Sequence, residues 1–580
     1  MKSRQYYGVS CFTRKFMLRP AETPEDIKRV FDNYSDNGTM STGRLLQFLI
    51  EFQGEESATE KEAQVIFDSF KHLHIFHRKV LHLEAFFRYL LSDHNPPLSP
   101  SAQVHHDMQA PLAHYFLYTG HNSYITGNQF TSDCSTAPII RALQRGVRVI
   151  ELDLWPSKTE KSDVDVRHGG ASTAPVKLVK CLRAIKDHAF SASEYPVVIT
   201  FEDHLGPDLQ AKVASMVHET FGETLFHPKS NLNELPSPFS LKKKILISTN
   251  PPKELPGSDG KQQNNSQKAE SPAEKEPCGD EVKEDVEQDE ADGGEDHQDE
   301  DLQQAGPQYR HLIAIHGGKQ KGGIGNWLCD NSDKVKRISL SEEKLENAVK
   351  KYATDIIRFT QVYLLRVYPK GTRLLSSNYD PMVGWTHGAQ MVAFNMQGYG
   401  HHLWKMQGMF RANGGCGYVK KPNFLLDPNT VFDPSKDVPI KTILKVWIPK
   451  VKLYMGHGWH SDFHHNHFDL CSPPDFYAKV GIAGVRADEK TMRTTTVTDE
   501  WIPEWNESFE FRLRVPELAL LWIKVKDDDP AGRNDFAGQT CLPVSELRTG
   551  IRAVPLHDRR GKPYKSVKLL MRFEFENIHD

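Results

Sequence analysis

The chain has 580 residues, 38% of them hydrophobic, with a formal net charge of −4. That length predicts several domains, each able to bury a core. No apolar run approaches the ~18 residues of a membrane span, so any membrane contact is expected to be peripheral. The eight cysteines (11, 134, 181, 278, 329, 416, 471 and 541) form no CxxC pair, which argues against a disulfide framework or zinc site and fits reduced cytosolic thiols. The first residues, MKSRQYYGVSCF, show no apolar secretory core, and Met1-Lys2 lacks the glycine that myristoylation needs.

The modest net charge conceals a division. Residues 274–301 hold fifteen acids and two lysines, a net −13, so the remainder carries +9. A basic body favours anionic partners, such as lipid surfaces, phosphates or nucleic acid. No motif supports nucleic acid.

In chain order, residues 20–95 read as a helical lobe. TPEDIKRVFDNY begins with a threonine cap, a proline and early acids, and GRLLQFLIEFQ, EKEAQVIFDSF and HLEAFFRYLLSD repeat apolar residues at helical spacing. Asn33 to Arg44 has the length of an EF-hand loop, with Gly38 at its sixth position. Its twelfth position, normally a bidentate glutamate, is Arg44, so the lobe is expected to be structural and not to bind calcium.

Residues 107–250 alternate short strands with amphipathic helices, the pattern of a parallel α/β sheet or barrel. Residues 251–308 have the composition of a disordered linker. The alternation resumes over 309–427, which suggests one domain written in two halves. From 438 to 560 β-patterned segments and turn signals predict a sandwich, and 561–580 adds a last strand and tail. The run HGWHSDFHHNHF (457–468) lacks regular ligand spacing and is expected to be a polar surface loop.

The chemistry concentrates in the first α/β half. RVIELDLW (148–155) reads as a buried strand, yet Glu151 and Asp153 would stand side by side on one face. Two close carboxylates repel unless a cation or a shared proton lies between them. The neighbouring strands are expected to end in His121-Asn122, in His168 (after DVRH) and in Glu202 (after VVITF). Strand C-termini are where α/β barrels gather their active sites. Three carboxylates and an asparagine oxygen favour a hard cation, calcium or magnesium. Two histidines beside it suit acid–base work on a phosphodiester.

TGHNSY (119–124), ELDLW (151–155), HGG (168–170), FEDH (201–204), SSNYDP (376–381), QMVAFNMQ (390–397) and NGGCGYVKKP (413–422) together resemble eukaryotic phosphoinositide-specific phospholipase C. The layout is similar to the plant branch: an EF-hand-like start, X and Y halves around an acidic linker, and a C-terminal C2 domain. The resemblance implies a TIM-type (β/α)8 barrel split by that linker. It implies Asn122, Glu151, Asp153 and Glu202 as ligands of Ca2+, His121 as stabiliser of pentacovalent phosphorus, and His168 as the acid that protonates the departing diacylglycerol oxygen. A carboxylate among the ligands, Glu151 in the first place, would take the proton of the attacking inositol 2-hydroxyl, forming a cyclic phosphate that water opens.

Ser339, Arg366 and Tyr368 match residues that hold the inositol ring and its 4-phosphate. The family also places lysine after the strand KKILISTN, where Ser248 and Asn250 stand here. Lys253 or Lys242 to Lys244 are the nearby cations that could compensate, and the preferred phosphoinositide is left open by this departure. In the C2-like region, Asp475, Asp499, Asp527, Asp529 and Asp535 are candidates for calcium between protein and anionic lipid. The implied partners are the phosphoinositide substrate and an anionic membrane surface, with the chain cytoplasmic and peripheral at the inner face of the plasma membrane. The acidic linker is a candidate brake on activity. Two alternatives remain at this level. One is a glycerophosphodiester phosphodiesterase on a similar barrel; the other is a catalytically weak or inactive calcium-dependent lipid-binding scaffold.

Overall fold

The computed structural model describes residues 3–9, 12–18, 21–70, 80–98, 103–169, 174–228, 234–251, 307–318, 336–429, 432–434, 445–463, 467–468, 472–529 and 534–578. The acidic linker proposed as a brake lies outside the described residues, as does Lys253. An antiparallel hairpin, Ser3–Val9 with Phe12–Leu18, precedes four helices: α1 (Glu25–Asn33), α2 (Thr42–Glu51), α3 (Glu60–Ser69) and α4 (Leu83–Leu90). Capping follows the local sequence. Ser41 accepts from the Arg44 backbone at the start of α2, and Thr59 and Glu62 form a reciprocal capping box on α3.

In the loop before α2, Arg44 folds back onto the loop's own acid. Its guanidinium makes two hydrogen bonds to Asp36, at 3.0 and 2.8 Å. Asn37 and Gly38 take positive φ at the turn.

Eight parallel strands close a barrel: β1 (Thr119–Gly120), β2 (Val149–Pro156), β3 (Val197–Asp203), β4 (Ile245–Thr249), β5 (Ile313–Gly317), β6 (Lys336–Ser341), β7 (Leu364–Tyr368) and β8 (Met391–Phe394). Each pairs with the next, and β1 pairs with both β8 and β2, which completes the circle. Four strands come from each side of the acidic segment, and β4 pairs directly with β5 across it.

Alternation along the strands sorts the side chains. Leu117, Val149, Val198, Leu246, Ile315, Leu364 and Met391 fill the barrel interior as one apolar cluster. Two residues further along, Thr119, Glu151, Thr200, Ser248 and Arg366 turn the inward positions polar. In β2, Val149, Glu151 and Asp153 face inward. Ile150, Leu152 and Leu154 face outward and pack with Leu182 and Ile185 of the helix Leu178–His188. One strand thus serves two environments.

The C-terminal strands form a single hydrogen-bonded order that narrows to one registered pair, Gln539 with His557. This C2 domain packs against both other parts. Its core is continuous with that of the helical lobe, where Ile27, Phe48 and Phe86 join Phe476, Ile523 and Leu569. The buried Gln53 side chain donates to the Ile551 carbonyl at 2.8 Å and accepts from the Ile551 amide at 2.6 Å. On the other side, Gly408 of the barrel helix His401–Met409 lies under Cys541, where an added Cβ would sit 2.6 Å from the sulfur. Trp404 donates to the Arg559 carbonyl at 3.0 Å. The histidine-rich run departs from the expected surface loop. Trp459 within it is fully buried and donates to the Ala537 carbonyl at 2.8 Å, because its indole satisfies both an apolar slot and an acceptor.

His557 stands at the seam between barrel and C2 domain. Arg411 donates to its Nε2 at 3.0 Å, so Nδ1 carries the proton and donates to the Gln539 carbonyl at 3.3 Å. Burial, then the Arg411 charge, pull its pKa from 6.5 down to about 3. The fold therefore favours the neutral ring. Its contribution to stability is full above pH ~6.5 and falls as pH drops towards ~3, by up to ~1.4 kcal/mol per pH unit. Thermal denaturation between pH 7 and 5 should show this slope, and His557→Gln should flatten it. An unchanged slope in the variant would refute the assignment.

Candidate active site

The inward polar positions meet at the C-terminal mouth of the barrel. Register places Glu151 beside Thr200, Asp153 beside Glu202, and Thr200 beside Ser248. Oxygen atoms of Glu151, Asp153 and Glu202 all lie within 4.8 Å of one another. Two like charges ~4 Å apart repel by ~4 kcal/mol even at an effective dielectric of about 20.

The chain resolves part of this itself. Burial alone would raise the Glu151 pKa. The Arg366 guanidinium, His121 and the Asn122 amide outweigh it and hold the carboxyl at about 2. Arg366, from β7, pairs with Glu151 Oε1, and the Asn122 N–H donates to Oε2 at 3.2 Å. Asp153 has no ion pair; the Tyr124 hydroxyl and the more distant Arg366 charge favour its ionised form only weakly. Its Oδ1 is buried without a hydrogen bond, and burial, Glu202 and Glu151 push its pKa well above the usual carboxylate range. Glu202 still reaches solvent at the mouth. Crowding by protein and the Glu151 charge push it up to about 7.

His121 and Asn122 follow β1 directly. Asn122 takes φ of 42°, a left-handed turn that asparagine tolerates, and both side chains enter the mouth. Asn395, at the end of β8, orients the histidine. Its Nδ2 donates to the Ser377 carbonyl at 3.3 Å, and Gln129 donates to its Oδ1 at 3.0 Å. That amide oxygen must then accept from His121 Nδ1 at 3.0 Å, so the neutral ring presents an unprotonated Nε2. Gln129 Oε1 also accepts from Asn122 Nδ2 at 3.0 Å, which leaves the Asn122 amide oxygen for a cation. Burial lowers the His121 pKa.

His168 arrives by a route the sequence did not suggest. It does not end a barrel strand. The short strand Val164–Val166 folds back antiparallel on β2, and His168 follows it. The adjoining Arg167 lies over Trp155 at 4.6 Å, and Trp155 stacks on His204 at 3.9 Å. The Arg167 N–H donates to the Asp153 carbonyl at 3.2 Å. Gly169 is needed there, since a Cβ would meet the Trp155 ring at 2.9 Å. Burial lowers the His168 pKa, against a smaller upward pull from the Gln129 backbone and Glu151.

Comparison with known proteins follows the same lines. Family models of the phosphatidylinositol-specific phospholipase C X and Y domains match residues 108–251 and 325–424. Phosphoinositide phospholipase C 2 of Arabidopsis thaliana is 55% identical over 99% of this chain and 100% of its own length. The chain belongs to the phosphoinositide-specific phospholipase C family. A C2 domain model matches residues 450–558, and an EF-hand-like model described for phosphoinositide-specific phospholipase C matches 21–99. The 1-phosphatidylinositol 4,5-bisphosphate phosphodiesterase delta-3-A of Danio rerio is 33% identical over 97% of this chain and 69% of that protein. The crystal structure of L. pealei PLC21 shares the fold, with a TM-score of 0.74 at 24% identity over 96% of this chain and 69% of that one.

The other residues singled out in this phospholipase C sequence divide into groups. Ser339 and Arg366 are register partners on β6 and β7, and the Arg366 guanidinium lies 5.1 Å from the Tyr368 ring centre. Ser248 is fully buried with an unpartnered hydroxyl. Lys242 and Lys243 bridge to Glu194, and Lys244 donates to the Glu223 carbonyl at 2.7 Å. They precede β4, at the end of the strand away from the mouth, and so do not compensate for the missing lysine.

In the C2 domain, Asp475 Oδ1 accepts from the Asp499 amide at 2.7 Å, and Asp527 Oδ1 accepts from the Asp475 amide at 2.6 Å. The Asp535 carbonyl accepts from Asp527, and Asp529 follows two residues on. Among the described residues these carboxylates are not drawn into one tight group. Asp528, between Asp527 and Asp529, pairs outward with Arg493 at 2.7 Å. A separate grouping, His105, His106 and Glu546, is explained by hydrogen bonding. The Lys420 amide donates to His106 Nδ1 at 3.2 Å, so Nε2 holds the proton towards Glu546. Sequence reasoning passed over Gln129, Asn395 and the inward Arg337. Asn395 alone carried a signal, inside QMVAFNMQ.

Glu151→Ala should leave Arg366 as an uncompensated buried charge and cost ~3–5 kcal/mol, read as a lower urea midpoint. Adding Arg366→Leu should recover part of that loss. A double variant less stable than the single would refute the pairing.

Proposed function

We propose that this chain is a calcium-dependent phosphoinositide phospholipase C of signal transduction, hydrolysing phosphatidylinositol phosphates to inositol phosphates and diacylglycerol at a membrane. The observation that carries the reading is the three-carboxylate cluster with an orphaned Asp153 oxygen, set between two mouth histidines. The donors fit calcium. All are oxygens, they carry up to three negative charges, and the Asn122 amide oxygen is left for the same space. Calcium held by Asn122, Glu151, Asp153 and Glu202 would supply positive charge for the phosphoryl oxygens and acidify the inositol 2-hydroxyl.

The chain's own groups do the rest. A cluster carboxylate takes the 2-hydroxyl proton. Glu151 is the expected base, and Glu202, whose oxygens are less committed and which reaches solvent, is the alternative. His168, protonated against the phosphate charge, delivers a proton to the departing diacylglycerol oxygen. Water opens the cyclic phosphate with the roles reversed. His121, its Nδ1 fixed by Asn395, directs Nε2 at the phosphorus centre and stabilises charge there when protonated. Ser339, Arg366 and Tyr368 hold the ring.

The rim supports a membrane-seated enzyme. Phe130, Leu374, Leu375 and Tyr399 are 52%, 53%, 80% and 66% exposed, and all lie in loops that follow β1, β7 and β8. Arg373 and the Lys370 amide bind Glu342, which anchors the loop bearing the two leucines. Exposed apolar clusters at a site mark a lipid or protein contact. The basic body, the rim and the C2 aspartates at positions 475, 499, 527, 529 and 535 together support calcium-assisted docking on anionic lipid at the inner face of the plasma membrane. No helix among the described residues is long and apolar enough to cross a membrane.

His168→Ala should lower hydrolysis of phosphoinositides in mixed vesicles by ~10²–10⁴-fold and leave calcium-dependent vesicle binding intact. A wild-type protein that binds vesicles yet turns over no phosphoinositide at any calcium level would establish the scaffold instead. Leu374→Asp with Leu375→Asp should cut vesicle hydrolysis at least about tenfold, since each lost leucine burial removes ~1.5–3 kcal/mol of insertion. Cleavage of a water-soluble inositol phosphodiester should be unchanged. Equal loss on both substrates would remove the rim from the docking surface.

A further inference from the structure

Beyond the Asp153 oxygen that the cation site uses, the barrel interior holds other buried polar atoms without partners. They are Arg337 Nε and Nη1, Ser248 Oγ and Thr200 Oγ1. The arginine is the unusual one. Arg337 is 6% exposed and lies on β6 two residues before Ser339, so both face inward. Buried guanidiniums are expected to be paired. Glu151, the acid best placed to pair, is committed to Arg366. Glu151 and Glu202 act on Arg337 through space, without a bond to Nε or Nη1.

The neighbouring strand leaves Arg337 without a side-chain partner. Arg337 is in register with Gly317 of β5. Gly317 brings no side chain into the interior, and a Cβ there would stand 2.0 Å from Asn250 Oδ1. The Asn250 side chain, just after β4, therefore lies over Gly317, beside the strand that carries Arg337 and Ser339. Among the described inward residues of β3 to β7, the cations are Arg337 and Arg366. Burial pulls Arg337 down to about 10, so it stays charged at neutral pH. The site has three carboxylates against two guanidiniums. A bound divalent cation turns that deficit into a positive excess, and the unspent share is the guanidinium without a carboxylate. A fork of unmet N–H donors, with the Ser339 side chain on the same strand face, suits the oxygens of a phosphate monoester.

We propose that Arg337, with Ser339 two residues on along the same inward face of β6, is the receptor for a ring phosphate of the inositol headgroup. Selectivity for phosphorylated lipids then comes from β6, in place of the lysine that is absent after β4. The proposal rests on the phospholipase reading for its substrate and adds the residue that ranks the lipids.

The test compares wild type with Arg337→Met and Arg337→Lys in the full chain, with calcium present. Binding of inositol 1,4,5-trisphosphate and of inositol 1-phosphate is measured by calorimetry, alongside vesicle hydrolysis of phosphatidylinositol and its 4,5-bisphosphate. Arg337→Met should weaken trisphosphate binding at least about tenfold, the scale of one lost bidentate charge-assisted contact, and raise KM for the bisphosphate lipid. Inositol 1-phosphate binding and phosphatidylinositol hydrolysis should hold. Arg337→Lys, which keeps a cation in place, should fall between, and it carries the test if the methionine variant does not fold. Equal losses on both headgroups would mark Arg337 as structural and overturn the proposal. So would unchanged trisphosphate binding in the variants, or a wild type that binds the two headgroups equally. A wild type that prefers the trisphosphate but cleaves no lipid would sink the enzyme reading and leave this site standing.

Discussion

Three carboxylates forced into one small space are the constraint on which the barrel mouth depends. Glu151, Asp153 and Glu202 reach it because β2 and β3 are in register and alternate their faces. The protein neutralises one with Arg366 and an amide. It leaves another, Asp153, with a buried oxygen unmet. Such an arrangement costs stability as it stands, and becomes favourable when a cation is added. The neighbouring features follow from it: the left-handed turn at Asn122, the hydrogen-bonded chain from Gln129 through Asn395 to His121, and the Trp155 stack that pins the segment before His168.

Much of this was legible because a strand's period is two. In RVIELDLW the acids fall on one face and the leucines on the other, and that conflict announces a polar pocket within an apolar barrel. The alternation of strands and helices on both sides of an acidic segment likewise predicted one domain in two halves. Other features resisted for physical reasons. His168 comes from a short antiparallel return, whose strand looks in sequence like one more parallel element. Arg337 drew no notice in the sequence, and only barrel closure turns it inward. The histidine run 457–468 was read by polarity, and one tryptophan's burial outweighed it. Lys242 to Lys244 were near in sequence to the missing lysine but sit at the other end of β4, a distance that residue counting does not register.

The C2 domain lies between the other two parts. Its strands complete the core of the helical lobe on one side and cover a barrel helix on the other. Gln53, Arg552 and Glu55 bind on one side; Trp404, Arg411 and His557 bind on the other. With both seams packed, the attitude of the C2 loops relative to the barrel mouth is a property of folding.

The Asp36–Arg44 pair carries a consequence of a different kind. A loop shaped for an ion has its positive charge supplied by its own chain. An ion is lost when its concentration falls, whereas a tethered guanidinium has no dissociation equilibrium with the surroundings. The loop is thereby closed by a bond within the chain. The lobe that carries it is the wall against which Phe476, Ile523 and Leu569 of the C2 domain pack.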